Sequence, residues 1–491
     1  MNIKKELFSG SLSVSIITFI GHIFTAILKI SISRLYGVEV FGVFTLINVT
    51  SRFLVSFVQL GYHQSMVYFV SKYHRLNEWG KISKIFKKGI LGIIVSSILM
   101  TIVLFIFKTE LNQIYFKNNN INVGMYIAGI MFVIAINNYI SAILKGMKKH
   151  KEQAVIFTSL YPIIMVLSLI ISLNQDKKPQ IEVFYFNGIL LNCIALIILI
   201  FWLNKKIDKK FISKKETPGI NLTEYSVPVW ISSVLRSGIG KADRIMLGYF
   251  ASTDQVGVYG AGLTLSVLFS FPLKSLKPVL EPMIVNNFKD SKIANLNILF
   301  NTIIRWTSFY VFPIFGFLIC FGINLLQIFG KDFSSGFSIM LVLCLSQIIT
   351  TIFGATESFL NMTEKPKTNM KIIIAGAVIT ILLNILLIPI YGGFGAAIGT
   401  CISLFIINLL RLKAVKKLLK IEIDYSILLS LSLKFIPLLT LFNYIENLNI
   451  LDWYYLALSY LSISIIFIYF SISKTEKKSV KKYLYNLKSN F

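Results

Sequence analysis

About fourteen apolar runs, each near the ~20 residues that carry a helix across a hydrocarbon core, leave this chain almost no way to fold in water. They lie at 12–35, 41–66, 88–107, 121–145, 154–173, 183–203, 223–250, 257–276, 303–322, 335–362, 369–389, 394–412, 425–444 and 451–472. Here they are numbered as spans 1 to 14. With 55% hydrophobic and 14% charged residues and a mean hydropathy of +0.73, too little polar surface exists to coat a soluble fold of 491 residues. The expected class is an all-α integral membrane protein.

The 49 Lys and Arg residues orient it. They crowd into alternate connections: Lys72, Arg75, Lys81, Lys84, Lys87 and Lys88; Lys205, Lys206, Lys209, Lys210, Lys214 and Lys215; and the tail from Lys474 to Lys488. The opposite connections, such as Ala251 to Val256 and Ile390 to Gly393, are short and nearly uncharged. That asymmetry is the positive-inside pattern. An even number of spans then puts both termini in the cytoplasm, in the cell (inner) membrane, and leaves no room outside for a catalytic domain.

The formal charge of +27 follows from these flanks and suits anionic cytoplasmic lipid rather than nucleic acid. Cys193, Cys320, Cys344 and Cys401 sit inside apolar runs without metal-ligand spacing and read as inert thiols. The first run is long enough to span and no small-residue cleavage site follows it, so no signal peptide is expected. No G-x-x-x-x-G-K-[ST] loop occurs. No cofactor is therefore expected and ATP is not the direct drive.

An internal repeat marks the domain plan. Gly42-Val43-Phe44 returns as Gly257-Val258-Tyr259, and Leu144 with Lys149-His150-Lys151 returns as Leu360 with Lys365-Pro366-Lys367, both at an offset of about 215 residues. Because the offset skips an even number of spans, two six-helix halves share one orientation, related by a pseudo-twofold axis along the membrane normal. The expected domains are an N-terminal lobe at 1–217 (spans 1 to 6) and a C-terminal lobe at 218–420 (spans 7 to 12). Residues 421–491 add a hairpin, spans 13 and 14, with a basic cytoplasmic tail.

Polar side chains recur every three or four residues on several spans, so they share a helix face. Span 1 carries Ser11, Ser15, Thr18, His22, Thr25, Lys29 and Ser33; span 2 carries Thr45, Asn48, Arg52, Ser56, Gln59 and His63. Span 7 has Ser226, Trp230, Ser233, Ser237 and Arg244 with Arg236, Gly240 and Asp243 beside them, and span 10 has Gln347, Thr350, Gly354, Glu357 and Asn361. Such faces either line a hydrated interior or join helices by hydrogen bonds.

The charges decide between these readings. An Arg at the centre of a span costs about 2.5 to 3.5 kcal/mol on insertion scales, so Arg52, Arg236 and Lys434 must meet water, a counter-charge or a ligand. Lys29, Arg52, Arg236, Lys241, Arg244 and Lys434 stand inside spans against Asp243 and Glu357. This excess fits an anion, and a guanidinium fork matches phosphate oxygens. The candidate substrate-binding residues are Arg52, Arg236, Lys29, His22 and Asn48. Lys29 also reads as a lysine snorkelling near a helix end, and His22 as a satisfied interior histidine. Asp243 and Arg244 read as an ion-pair latch between halves, Glu357 as a coupling-ion carboxylate or a gate, and Lys241 and Gln347 complete the gating or coupling set. Pro162, Pro272, Pro313 and Pro437 mark candidate bends.

The runs RLYGVEVFGVF (34–44), KADRIMLGYFASTDQVGVYGAG (241–262) and EKPKTNMKIIIAGAVITILLNILLIPIYGGFGAAIGT (364–400) resemble the Wzx-type oligosaccharide flippases of the multidrug/oligosaccharidyl-lipid/polysaccharide exporter superfamily. The resemblance covers the first twelve spans and is strongest in the third run, with its Leu-Asn-Ile-Leu-Leu-Ile-Pro stretch, its glycine turn and Gly395-Ala396-Ala397. It implies two six-helix lobes around a central cavity, alternately open to either side, that move polyprenyl-diphosphate-linked oligosaccharide outward. It also implies basic cavity residues of the kind found at Lys29, Arg52 and Arg236. The expected drive is a proton or sodium gradient or the membrane potential, and the expected partners are a coupling ion (H+ or Na+), membrane lipid and polysaccharide-assembly proteins. Alternatives are a multidrug/cation antiporter of the same superfamily, which would have an acidic interior, and a lipid II-type precursor flippase. A membrane glycosyltransferase would need a catalytic carboxylate or a large outer loop, and neither is apparent.

Overall fold

Glycines cut the longest apolar stretches into separate passes. The computed structural model describes residues 3–116, 123–175, 180–208, 222–289, 293–363, 365–424 and 452–471, with positions 426, 437, 440, 442 and 445. Among these residues there are helices and no strand. The helix Ile3–Val58 is interrupted at Gly37 (φ 81°, ψ −176°), so spans 1 and 2 meet across a single residue. No atom lies within 4 Å of a Cβ built there; the positive φ itself is what calls for glycine. The helix Pro366–Leu419 is interrupted likewise at Gly392 (φ 54°), where the Gly393 N–H donates to Gln255 Oε1 at 2.9 Å. Spans 11 and 12 therefore meet at the expected glycine turn.

Two expected spans are shorter than their apolar patterns. Span 2 stops at Val58 rather than 66, because Leu60 (φ 48°) and Gly61 (φ 75°) turn the backbone into a new helix, Tyr62–Arg75. Gly61 is needed twice over, since a Cβ would also sit 2.2 Å from the Ser226 carbonyl oxygen. Span 7 is divided into Leu222–Ile239 and Ala242–Phe250. Apolar residues resume directly after each break, which is why the pattern ran through both.

Proline acts where expected. Ahead of Pro162 the helix widens into a π segment, Val155–Leu160, and ahead of Pro272 it tightens into a 3-10 segment, Val267–Ser270. A proline ring collides with the carbonyl one turn earlier, and these local changes of pitch relieve it. Among the described residues nine helices are long and apolar enough to cross a membrane. Ile17–Val58 and Pro366–Leu419 each hold two spans, and Trp453–Ile466 is a shorter apolar helix at span 14. Most of span 13, with Lys434, lies outside the described residues.

The chain forms two compact units. The first comprises Met1–Ala261, Phe329–Phe333 and Ala377–Thr400. In it the repeat becomes a contact. A Cβ on Gly42 would fall 1.9 Å from the Thr253 carbonyl oxygen, and one on Gly257 would fall 2.3 Å from that of Val38. Gly42 matches Gly257, and Val38 matches Thr253, at the same offset of about 215 residues. Gly260 in turn packs on its own repeat mate, with its Cβ position 3.0 Å from Thr45 Oγ1. Reciprocal contacts of this kind are what a local twofold produces.

The second unit comprises Gly262–Ile328, Ser334–Gly376 and Cys401–Phe491. Its helix Ile293–Gln327 packs on Trp453–Ser471 through Cys320, Phe321, Phe442, Leu456 and Tyr460. The Tyr460 hydroxyl donates to the carbonyl of Pro313, 3.1 Å away.

Candidate substrate site

Within the first unit, spans 1, 2, 5 and 7 bring cations together. Lys29 stands on span 1, Arg52 on span 2, and Lys241 and Arg244 flank the break in span 7. Lys29 feels the charges of Arg244 and Arg52, Lys241 feels the same two, and Arg52 feels Arg244. Two like charges ~8 Å apart at an effective dielectric of ~20 repel by about 2 kcal/mol, so a cluster of this kind favours a bound anion.

The break in span 7 supplies its geometry. Where the helix stops at Ile239, Arg244 Nη2 donates to the backbone oxygen of Gly240 at 2.7 Å, and Lys241 Nζ donates to the Ser237 hydroxyl. A discontinuous helix is a common way to place backbone dipoles at a transport site. Asp243 is buried, at 7% exposure. It accepts from the Tyr259 hydroxyl at 2.7 Å and from Arg244 Nε at 3.4 Å.

Arg52 is held differently. Its guanidinium carbon lies 5.9 Å from the ring centroid of Tyr161, within cation–π range, while the residue remains exposed. The Tyr161 hydroxyl donates to Asn48 Oδ1 at 3.2 Å, and Asn48 Nδ2 donates to the Phe44 carbonyl at 2.8 Å. Asn48 thus brackets the ring on which the arginine rests. The Thr400 hydroxyl comes near that of Tyr259 without a hydrogen-bond partner of its own. Asn384 is fully buried, has no partner for either amide atom, and lies 2.7 Å from where a Cβ on Gly399 would be.

Lys29, Arg52, Asn48, Lys241, Asp243 and Arg244 are thus brought together. His22 is exposed on span 1 before Lys29, and Arg236 is exposed on Leu222–Ile239 before the break. Glu357 and Gln347 belong to the second unit, where Glu357 forms an ion pair with Lys277 at 3.2 Å and Gln347 is half-buried on Phe337–Phe353. Tyr161, Tyr259 and Lys277 escaped the reading of the sequence. Tyrosines are ordinary in apolar runs, and Lys277 was assigned to a connection although its helix, Phe271–Lys289, continues past span 8.

A family profile described as "Polysaccharide biosynthesis protein" matches residues 7–288. The chain belongs to that family. A second profile, MatE, matches residues 228–386. Among relatives, a probable flippase, AglR, of Haloferax volcanii is 22% identical over 60% of this chain and 60% of its own length. A probable low-salt glycan biosynthesis flippase, Agl15, of the same organism is 20% identical over 47% of this chain and 49% of its own. The chain therefore spans less than two thirds of either named relative.

Among solved structures, the lipid II flippase MurJ in an inward closed conformation superposes with a TM-score of 0.68 at 16% identity, covering 95% of this chain and 99% of that one. An inward-facing multidrug resistance MATE family transporter gives 0.67 at 12% identity over 84% and 98%. The family member described here is an all-α, multi-pass membrane protein with the transporter fold of the exporter superfamily. Its named relatives are flippases and transporters, not enzymes.

Proposed function

We propose that this protein is a flippase that carries polyprenyl-diphosphate-linked oligosaccharide from the cytoplasmic to the outer leaflet of the cell membrane by alternating access. The observation that carries the reading is the group of Lys29, Arg52, Lys241 and Arg244, with Asp243 paired to Arg244, inside helices otherwise suited to hydrocarbon. Arg52, an exposed residue with its guanidinium over the Tyr161 ring, binds the diphosphate; Lys29 and Arg244 add charge. Arg236 and His22 lie along the path of the glycan, and the polyprenyl tail stays in lipid. The names of AglR and Agl15 support a glycan-bearing lipid.

Both termini face the cytoplasm in this reading, as the basic connections require. The lobes 1–217 and 218–420 rock about the pseudo-twofold, and the reciprocal Gly42 and Gly257 contact is the crossing that must part. Coupling belongs to Asp243. Its carboxylate, the Tyr259 and Thr400 hydroxyls and the unpartnered Asn384 amide offer oxygen atoms to a proton or sodium ion that would displace Arg244.

Reconstitution tests this directly. Vesicles loaded with a fluorescent lipid-linked oligosaccharide are expected to show outward transfer that Arg52→Ala removes and Arg52→Lys restores only partly. Full transfer by Arg52→Ala, or efflux of cationic dyes that Arg52→Glu leaves unchanged, would overturn the assignment in favour of a cation antiporter.

A further inference from the structure

Away from the cation cluster, spans 3, 4 and 6 of the first unit enclose a groove of about 680 Å³, within the ~300 to 1,000 Å³ of small-molecule sites. Its wall on span 3 runs from Ser97 to Lys108, and its wall on span 6 from Phe186 to Ile197. At ~1.5 Å per residue, both walls measure about 16 Å. Half of a ~30 Å hydrocarbon core is about 15 Å, so the groove is one leaflet deep.

Its two ends differ. Phe105, Met125 and Phe186 lie toward the end of the walls that carries Lys108; the other end, at Ser97, Phe132 and Ile197, is apolar apart from the Ser97 hydroxyl. Gly124, Ala128 and Gly129 thin the floor on span 4, and Gly129 has no room for a larger side chain, its Cβ position being 2.6 Å from Ile189. Among the described residues Lys108 has no ion-pair partner; the nearby Glu110 takes its hydrogen bond from Thr109 at 2.9 Å.

An apolar slot one leaflet long with a single ammonium at its interfacial end matches one molecule: a phospholipid with its chain in the slot and its phosphate at the lysine. We propose that this groove is a binding site for an anionic glycerophospholipid, separate from the transport path. The net negative headgroup, rather than the chain, sets the selectivity, because any lipid tail fits the wall equally and only the charge at Lys108 discriminates.

Native mass spectrometry of the purified full chain, stripped of lipid and then offered phosphatidylglycerol or phosphatidylcholine, tests this. Wild type should keep one phosphatidylglycerol under conditions that remove phosphatidylcholine. Lys108→Gln should lower that retention about fivefold, the weight of one lysine at an anionic surface. Ile194→Trp, which fills the slot from a wall position 47% exposed, should lose both lipids; Met125→Trp, from a position 62% exposed, does the same from the facing helix should the first variant misfold. Equal retention of the two lipids by wild type, unchanged retention in the variants, or displacement of phosphatidylglycerol by an equal amount of polyprenyl phosphate would each overturn the proposal.

Discussion

The two units handle charge inside helices in opposite ways. In the second, Lys277 pairs with Glu357 at 3.2 Å, and Arg411 Nε donates to Asn369 Oδ1 at 2.9 Å, whose amide donates onward to Asn361 at 2.9 Å. Glu281 accepts from Ser358 at 3.3 Å. In the first, Lys29, Arg52, Lys241 and Arg244 lie within reach of one another's charge, and Arg244 pairs with Asp243, which also serves Tyr259. Paired charges hold helices together; a cluster of like charges favours an anion. The difference separates a structural network from a binding site more sharply than the bare presence of charge in a membrane helix does.

The largest expected effect comes from the unmatched side. Removing Arg52 as Arg52→Ala forfeits charge-assisted hydrogen bonds worth about 1.5 to 3 kcal/mol, so transport of lipid-linked oligosaccharide should fall about 10- to 100-fold while thermal stability in detergent holds. Stability loss with transport intact would instead put Arg52 in the matched class. Next, Asp243→Asn keeps shape but removes the carboxylate; transport should persist while its response to an imposed proton or sodium gradient disappears. A variant that still follows the gradient would move coupling elsewhere.

On the matched side, Lys277→Met leaves Glu357 without its partner and should cost about 1 kcal/mol of stability, with Glu357→Gln added to it restoring most of the loss. Transport should change less than stability in both. A transport defect without a stability defect would make that pair part of the path. The smallest effect belongs to Tyr161→Phe. It deletes the hydroxyl bond to Asn48 and keeps the ring beneath Arg52, so half-saturation should shift by about fivefold or less, consistent with one neutral hydrogen bond of ~1 kcal/mol. Tyr161→Leu, which also removes the ring, should shift it further.

Much of the site was legible because a charge in an apolar run is conspicuous in one dimension. Lys29, Arg52, Lys241 and Arg244 stood out for that reason, and they do gather. What they rest on was not legible: Tyr161 is one aromatic among many, and its place under Arg52 depends on the π segment at Val155–Leu160, which resets the rotation of the helix after it. Glu357 looked unmatched because Lys277 lay beyond the apolar stretch. The break at Leu60 was hidden for a related reason, since leucine rarely takes a positive φ.

Sequence alone determined that the chain enters a membrane, roughly where it crosses, where glycine turns join neighbouring passes, and that its halves repeat. Each of these follows from short-range quantities: transfer free energy along a window, backbone freedom at one residue, and likeness between two segments. Tertiary structure alone decided which charges answer one another and that Gly42 and Gly257 press their backbones together. Those outcomes depend on distances between helices that are remote in the chain, and the rotation of a helix about its axis, set by packing at every breach and bend, carries no signature in any single span.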